Sequence, residues 1–429
     1  MTTGVQAAPV LAGTGEPGLF PTGLRQVERG DAFEPWGGGD RPAPGSALDA
    51  AMDAADRAGL KRIHILAWRD LEDPEAGGSE LHAHRIATLW AAAGLDVTLR
   101  TSSAAGRPAI ASRSGYKVVR KAGRYAVFPR SILSGLAGRS GRRDGLVEIW
   151  NGMPFLSPVW ARCPKVVFLH HVHAEMWQMA LPAELARVGR MIEQRLAPPL
   201  YRKSRIVTLS KSSRNEIIEM LGMAGSRVTV VPPGVEERFS PGGPIAADPL
   251  VVAVGRLVPV KRFDLLIDAL VSLREKVPRL RAVIVGEGYE RSRLEARRSK
   301  LGADEWISLP GRLADDDLVD LYRQAWVLAS MSQREGWGMT ITEAGSCGTP
   351  AVATRIAGHI DAVDDGRSGI LVDSVDEMAA ALAAIVEDPV LRARLGRGAI
   401  DHASHFTWGA TAAGTLSVLA GEAIRAIGG

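Results

Sequence analysis

In the stretch REGWGMTITEAGSCGTP, Glu335 and Glu343 have seven residues between them. Glu335 follows the apolar run WVLASMS. Gly336 and Gly338 then free the backbone just before a helix that is expected to begin near Gly338. Unpaired amides at a helix start, together with the helix dipole, attract anions. Glu343 falls inside that helix, where a carboxylate can accept hydrogen bonds from ribose hydroxyls. Taken alone, two glutamates read more plainly as one surface acid and one capping acid; the strand, glycine loop and helix around them favour a binding site. Arg256 and Lys261, in VGRLVPVKRFD, add two cations between a strand end and the next helix. Cations there suit a diphosphate leaving group, whose developing charge needs electrostatic stabilisation.

Two further segments could face the same ligand. PEAGGSE places Gly77 and Gly78 between the first strand and the first helix, where small residues let amides approach an anion. A plain tight turn would use the same residues. VVFLHHVHAEMW ends an apolar strand on His170, with His171 and His173 close behind. Side chains at these spacings on a strand end point apart, so a metal site is not expected; a single histidine binding a sugar hydroxyl is. VGEGYER carries Arg291 where a dinucleotide fingerprint needs its third glycine, which disfavours a dehydrogenase. Asp315, Asp316 and Asp317 precede LVDLYRQA and read as helix-start acids rather than metal ligands. Neither a P-loop nor a nucleophile-elbow motif occurs, which disfavours a P-loop NTPase and a serine hydrolase.

The elements that must position these residues alternate strand and helix twice. RIHILAW, DVTLRTS, GLVEIW, KVVFLH and RIVTLS are strand-length apolar runs, with helical stretches between several of them, one from Ala183 to Lys203. A Pro/Gly-rich break near residues 234–248 marks a linker. Alternation restarts at LVVAVGR and runs to SGILVD, followed by helices from Val375 to about Ser404 and a last one after FTW. Such alternation predicts two doubly wound α/β domains facing each other across a cleft, with ligands beyond the carboxyl ends of the strands. Residues 1–47 hold ten Gly and six Pro and read as a flexible tail. The division expected is a tail over 1–55, an N-terminal domain over 56–238, a C-terminal domain over 239–404 and a closing helix over 405–429. Cys163 and Cys347 form no metal spacing and no disulfide framework, which fits a reducing cytoplasm. No apolar run approaches the ~18 residues of a membrane span.

Together these segments resemble the retaining GT-B glycosyltransferases, a family that includes bacterial mannosyl- and glucosyltransferases. The likeness covers residues 61–420 and rests on PEAGGSE, VVPPGV, VGRLVPVKR, the two-glutamate stretch with PAVATRIAGH after it, and FTW. The resemblance implies metal-independent transfer of a hexose from a UDP- or GDP-sugar, with no cofactor. It implies that Arg256 and Lys261 grip the diphosphate, Glu335 contacts the donor sugar, Glu343 holds the ribose and His170 lies near the sugar's 6-hydroxyl. The amides of Gly336, Trp337, Gly338, Met339 and Thr340 would line sugar and phosphate, and Gly77 and Gly78 would close over the phosphates. The base would lie near Gly286 to Gly288 and Leu309 to Arg312. Many relatives have two glycines where this chain has Ala357, Gly358 and His359, so the sugar stays open. The acceptor expected first is lipid-linked or a cell-surface glycan precursor, with a small soluble molecule, such as a natural product or an inositol-like compound, as the alternative. Another GT-B enzyme, such as an inverting transferase or a sugar-nucleotide epimerase, is the nearest rival; a NAD-dependent oxidoreductase and a non-catalytic binding protein stand further off.

Residues 100–143 contain eleven of the 52 basic residues and none of the 48 acidic ones. Arg113, Lys117, Arg120, Lys121 and Arg124 are expected to form a surface that docks on anionic lipid or holds an acidic acceptor. Tyr116, Tyr125, Phe128, Ile132 and Leu133 would insert shallowly. No nucleic-acid motif accompanies them. A peripheral enzyme on the cytoplasmic face of the membrane is the expectation.

Overall fold

The computed structural model describes residues 46–428. Eight strands form the first sheet: β1 (Arg62–Leu66), β2 (Asp96–Thr101), β3 (Ile110–Arg113), β4 (Tyr116–Arg120), β5 (Gly145–Trp150), β6 (Lys165–Leu169), β7 (Arg205–Thr208) and β8 (Val228–Val230). Their order is β3-β4-β2-β1-β5-β6-β7-β8. Only β3 runs antiparallel, turning into β4 through Ser114 and Gly115, both at positive φ. Six strands form the second sheet: β9 (Leu250–Val254), β10 (Arg281–Val285), β11 (Ile307–Gly311), β12 (Val327–Ser330), β13 (Ala351–Thr354) and β14 (Gly369–Val372). Their order is β11-β10-β9-β12-β13-β14, all parallel. Helices cover both faces, so β5, β6, β9 and β10 are buried almost throughout and read as near-continuous apolar runs. The doubly wound architecture is the one expected.

Each sheet reverses its strand order once, between β1 and β5 and between β9 and β12. Loops leaving neighbouring strands in opposite directions open a crevice there. Gly77 follows β1, Asn151 follows β5, Arg256 follows β9 and Glu335 follows β12. Both switch points therefore place the residues read from sequence at one level.

The helix Trp408–Gly428 returns to the first domain. The Trp90 indole donates to the Ala412 carbonyl at 3.0 Å, and the Thr411 hydroxyl to the Pro232 carbonyl at 2.7 Å. Where the chain crosses, a Cβ on Gly234 would stand 2.1 Å from the Trp408 nitrogen. Helix Ala47–Arg57 packs on the same returning helix.

Two expectations change. Residues 1–45 of the expected tail lie outside the described residues. Residues 46–55, placed in that tail, instead open a helix: Ser46 and Asp49 form a capping box, and Leu48, Ala51 and Ala55 are buried at helical spacing. The Gly/Pro count of the preceding segment masked that pattern. The helix expected from Ala183 to Lys203 divides into Ala183–Met191, a π-turn at Ile192–Leu196 and Pro198–Tyr201, interrupted where Pro198 and Pro199 cannot donate. The basic stretch around 110–136 contains a hairpin and the helix Val127–Leu136.

Candidate active site

Between the domains lies a cavity of about 620 Å³, lined from both sides. The second domain supplies its floor. Lys261 sits in a short 3₁₀ turn beyond β9, and its ammonium meets the Glu335 carboxylate. The Ser332 hydroxyl donates to the same Glu335 oxygen at 2.8 Å. Burial pushes the Glu335 carboxyl up, but the Lys261 charge and these hydrogen bonds outweigh it and hold it down at about 2. Arg256, half-buried beside them, makes no hydrogen bond or salt bridge among the described residues, and desolvation lowers its pKa. A guanidinium left unpaired in a cleft is placed for an anionic ligand.

Gly338 takes φ +115° and starts the helix Met339–Ser346, so its position favours glycine. His359, fully buried, sits against it; its ring contacts Ser330 at 3.3 Å and the Thr354 carbonyl at 2.9 Å. A Cβ on Gly358 would stand 2.8 Å from the Glu335 carbonyl and the Trp337 nitrogen. The Ala357–His359 stretch is thus the bed on which the donor loop rests.

The first domain closes the cavity from above. The Gly77 amide donates to Glu80 at 2.8 Å, and Arg69 donates to the other Glu80 oxygen at 3.2 Å. A Cβ on Gly77 would lie 3.6 Å from the Arg256 Nε, and one on Gly78 3.0 Å from the Met339 sulfur. The two loops meet with little room for side chains. His170 is buried, and its ring nitrogens have no partner among the described residues. Desolvation, then the neighbouring histidines His82, His171 and His173, push its pKa well below the ordinary value, so the ring is neutral. No group of three or more His, Cys, Asp or Glu side chains among the described residues is placed to hold a metal.

Arg256, Lys261, Glu335, His170, Gly77, Gly78, Gly336, Trp337, Gly338, Met339 and Thr340 all line this one cavity. Trp337 does so at its edge, since its indole is buried against Phe406. Glu343, Gly286 and Arg312 do not line it. Glu343 accepts from the Tyr322 hydroxyl at 3.2 Å, and burial raises its carboxyl to about 7. Gly286 has its own packing reason: a Cβ would stand 1.9 Å from the Gly255 carbonyl. Arg312 is exposed just beyond β11.

The expected basic surface is corrected. Arg113 and Arg120 are buried, 6% and 3% exposed, and both bind Asp70, at 2.8 and 2.9 Å. Arg113 also pairs with Glu72 at 2.8 Å. Arg124 pairs with Glu75 and lines the cleft. The acids come from the loop after β1, outside the window in which charge was counted. Lys117 and Lys121 remain exposed. Tyr116 and Phe128 are buried, whereas Tyr125 and Leu133 are exposed.

Sequence reasoning missed the links that join the domains. Asp361 accepts from the Lys211 and Ser212 amides at 2.9 and 3.1 Å, capping the helix Lys211–Leu221 across the interface. Arg334 donates to the Val172 carbonyl at 3.0 Å and pairs with Glu216 at 2.8 Å. Glu193 was also missed. It accepts from the His173 and Ala174 amides and the Trp177 indole at 2.8 to 3.1 Å, fixing the histidine loop. These partners lie far apart in sequence and leave no local pattern.

The profile described as glycosyl transferases group 1 matches residues 235–402, and that described as glycosyltransferase family 4 matches residues 76–239. A D-inositol 3-phosphate glycosyltransferase of Stackebrandtia nassauensis is 31% identical, over 90% of this chain and 97% of its own. Sucrose-phosphate synthase from Thermosynechococcus elongatus shares the fold with a TM-score of 0.71 at 20% identity, covering 86% of this chain and 99% of its own. Anabaena HepE, solved in complex with UDP-glucose, gives a TM-score of 0.66 at 19% identity, covering 85% and 99%.

Proposed function

The chain belongs to the GT-B glycosyltransferases, and from that premise we propose that it transfers a hexose from a UDP- or GDP-sugar with retention of anomeric configuration. It is a glycosyltransferase that uses a nucleotide sugar. The observation that carries the finer reading is the pairing of Lys261 with Glu335 beside the unpaired Arg256, under the Gly77–Gly78 loop. The diphosphate lies over Arg256 and Lys261, with its oxygens toward the start of the helix Met339–Ser346. The sugar lies against Glu335 and the neutral His170. Glu343, within that helix and bonded to the Tyr322 hydroxyl, is the acid on the ribose side.

In the reaction the acceptor hydroxyl oxygen bonds to the anomeric carbon as the bond from that carbon to the diphosphate oxygen breaks. The hydroxyl proton passes to the departing phosphate oxygen. Charge grows on the leaving group, and Arg256 and Lys261 stabilise it. Both bonds lie on one face of the sugar, which gives retention.

The acceptor that fits best is a small soluble polyol phosphate. Two observations support this over a lipid. The curated relative of matching length is named for inositol 3-phosphate, and the basic surface expected to meet lipid is largely turned inward on Asp70, Glu72 and Glu75. No helix among the described residues is long and apolar enough to cross a membrane.

A thermal-shift screen of UDP, GDP and their sugars tests the donor. A ligand that binds only the folded protein raises its melting temperature, so at least one of these must do so. No shift with any of them would remove the reading.

A further inference from the structure

Residues 121–130 wall two cavities at once. Arg124, Tyr125 and Phe128 face the cleft; Lys121, Ala126, Val127 and Arg130 face a second cavity of about 580 Å³ in the first domain. His64 and Thr101, from β1 and β2, line that second cavity. Five cations line it too: Arg100, Lys121, Arg130, Arg139 and Arg143. No Asp or Glu does.

Polar groups here lack partners. His64 is 6% exposed and makes no hydrogen bond among the described residues. The Thr101 hydroxyl and the Nε atoms of Arg100 and Arg143 are buried without one. Arg100 reaches only the Ser140 carbonyl, and Arg143 lies 5.1 Å from the centre of the Trp160 ring. Asp144, the acid next in sequence, is taken up by Arg62 and by the amides of Lys61 and Arg62. By contrast, the buried arginines of this sheet, Arg113 and Arg120, have the carboxylates of Asp70 and Glu72. Arg100 and Arg143 are half-buried, and withdrawing guanidiniums from water without a counter-charge is costly. A concave site with unmatched cations and spare donors has the complement of a phosphate, and its volume is that of small-molecule sites.

We propose that this cavity is a second anion site, separate from the donor diphosphate site, that takes a compact phosphomonoester or diphosphate. Lys121, Arg130 and Arg139 guide the ligand at the rim, Arg100 and Arg143 bind its oxygens, and His64 and Thr101 contact it from the sheet. The shared wall at 121–130 lies between this ligand and the acceptor side of the cleft.

Calorimetric titration with inorganic pyrophosphate tests the site. It is run in an Arg256→Ala/Lys261→Ala background, so that the two cations assigned to the donor diphosphate contribute nothing and a failed donor assignment cannot imitate a failed second site. Pyrophosphate should still bind. Adding Lys121→Glu, Arg130→Glu and Arg139→Glu should weaken it at least roughly tenfold, the loss of one charge-assisted contact. Adding instead Arg195→Glu, Arg202→Glu and Lys203→Glu, an equal charge change at exposed positions outside the cavity, should leave it unchanged. All the substituted positions in the rim set are exposed, and circular dichroism checks the fold; Arg143→Gln gives a second, uncharged probe. Absence of binding in the starting background, or equal loss in both triple variants, would overturn the proposal. Flotation with phosphatidylcholine vesicles containing phosphatidic acid separates the sources. Rim-dependent flotation identifies a lipid headgroup, and pyrophosphate binding without flotation identifies a soluble ligand; both outcomes uphold the site.

Discussion

Lys261 and Glu335 meet across the reversal in the second sheet, 74 positions apart in the chain, while Arg256 beside them is left for the ligand. Lys261 holds Glu335 ionised, and in the proposed reaction it would also stabilise the departing diphosphate. Lys261→Ala should lower kcat by ~10²–10³ with a smaller effect on the donor KM, because the lost contact matters most when charge has developed. Steady-state kinetics with varied donor checks this, and unchanged turnover would contradict it. Glu343 behaves in the opposite way. Burial raises its carboxyl from 4.5 to about 7, so the folded state favours the protonated form. Its contribution to stability is full below pH 4.5 and is lost as the pH rises through 7. Glu343→Gln removes that dependence, so melting temperatures measured from pH 4.5 to 7 should shift steadily in favour of the variant. A constant difference across that range would contradict the buried assignment. The strand, glycine loop and helix around them singled out both glutamates in the sequence, although only Glu335 lines the cavity. That one would carry a full charge and the other not was invisible, since it depends on Lys261 arriving from another element beside Glu335 and on the burial of Glu343.

The π-turn at Ile192–Leu196 shows how an element can serve the site from a distance. It brings Glu193 under the 173–177 loop, where one carboxylate binds two amides and an indole. Glu193→Ala strands those three donors. The expected cost is at least about 2 kcal/mol, since each unsatisfied buried donor costs about 1–3 kcal/mol, and the loop that carries His173 should loosen. Denaturant unfolding and hydrogen exchange at 171–177 check both. Full protection in the variant would mean that other contacts hold the loop. From the sequence this region reads as one helix, because its apolar and charged residues keep helical spacing through Arg195. The parallel strands were the most legible elements: both faces are covered, so each is an apolar run bounded by loops. The hairpin β3–β4 was not, because its alternation is short and its Arg113 and Arg120 point inward to acids from another loop.

The whole molecule is two similar sheets held at a fixed facing by a returning helix and a few long-range links. Asp361 caps a helix of the first domain, Arg334 reaches its Val172 carbonyl, and Trp408 locks the crossing at Gly234. This places the carboxyl ends of both sheets on one cavity, where the proposed function has donor and acceptor meet. The pairing of domains was legible from the restart of alternation after residue 248, and the cleft followed from it. The links were not, because each joins residues more than a hundred positions apart. The central claim is that this cleft transfers a sugar from a nucleotide donor with retention. NMR of the anomeric proton in the product, formed from an α-linked UDP- or GDP-hexose and an inositol phosphate, tests it most directly. The account predicts an α-linked product accompanied by release of the nucleoside diphosphate; a β-linked product would contradict it.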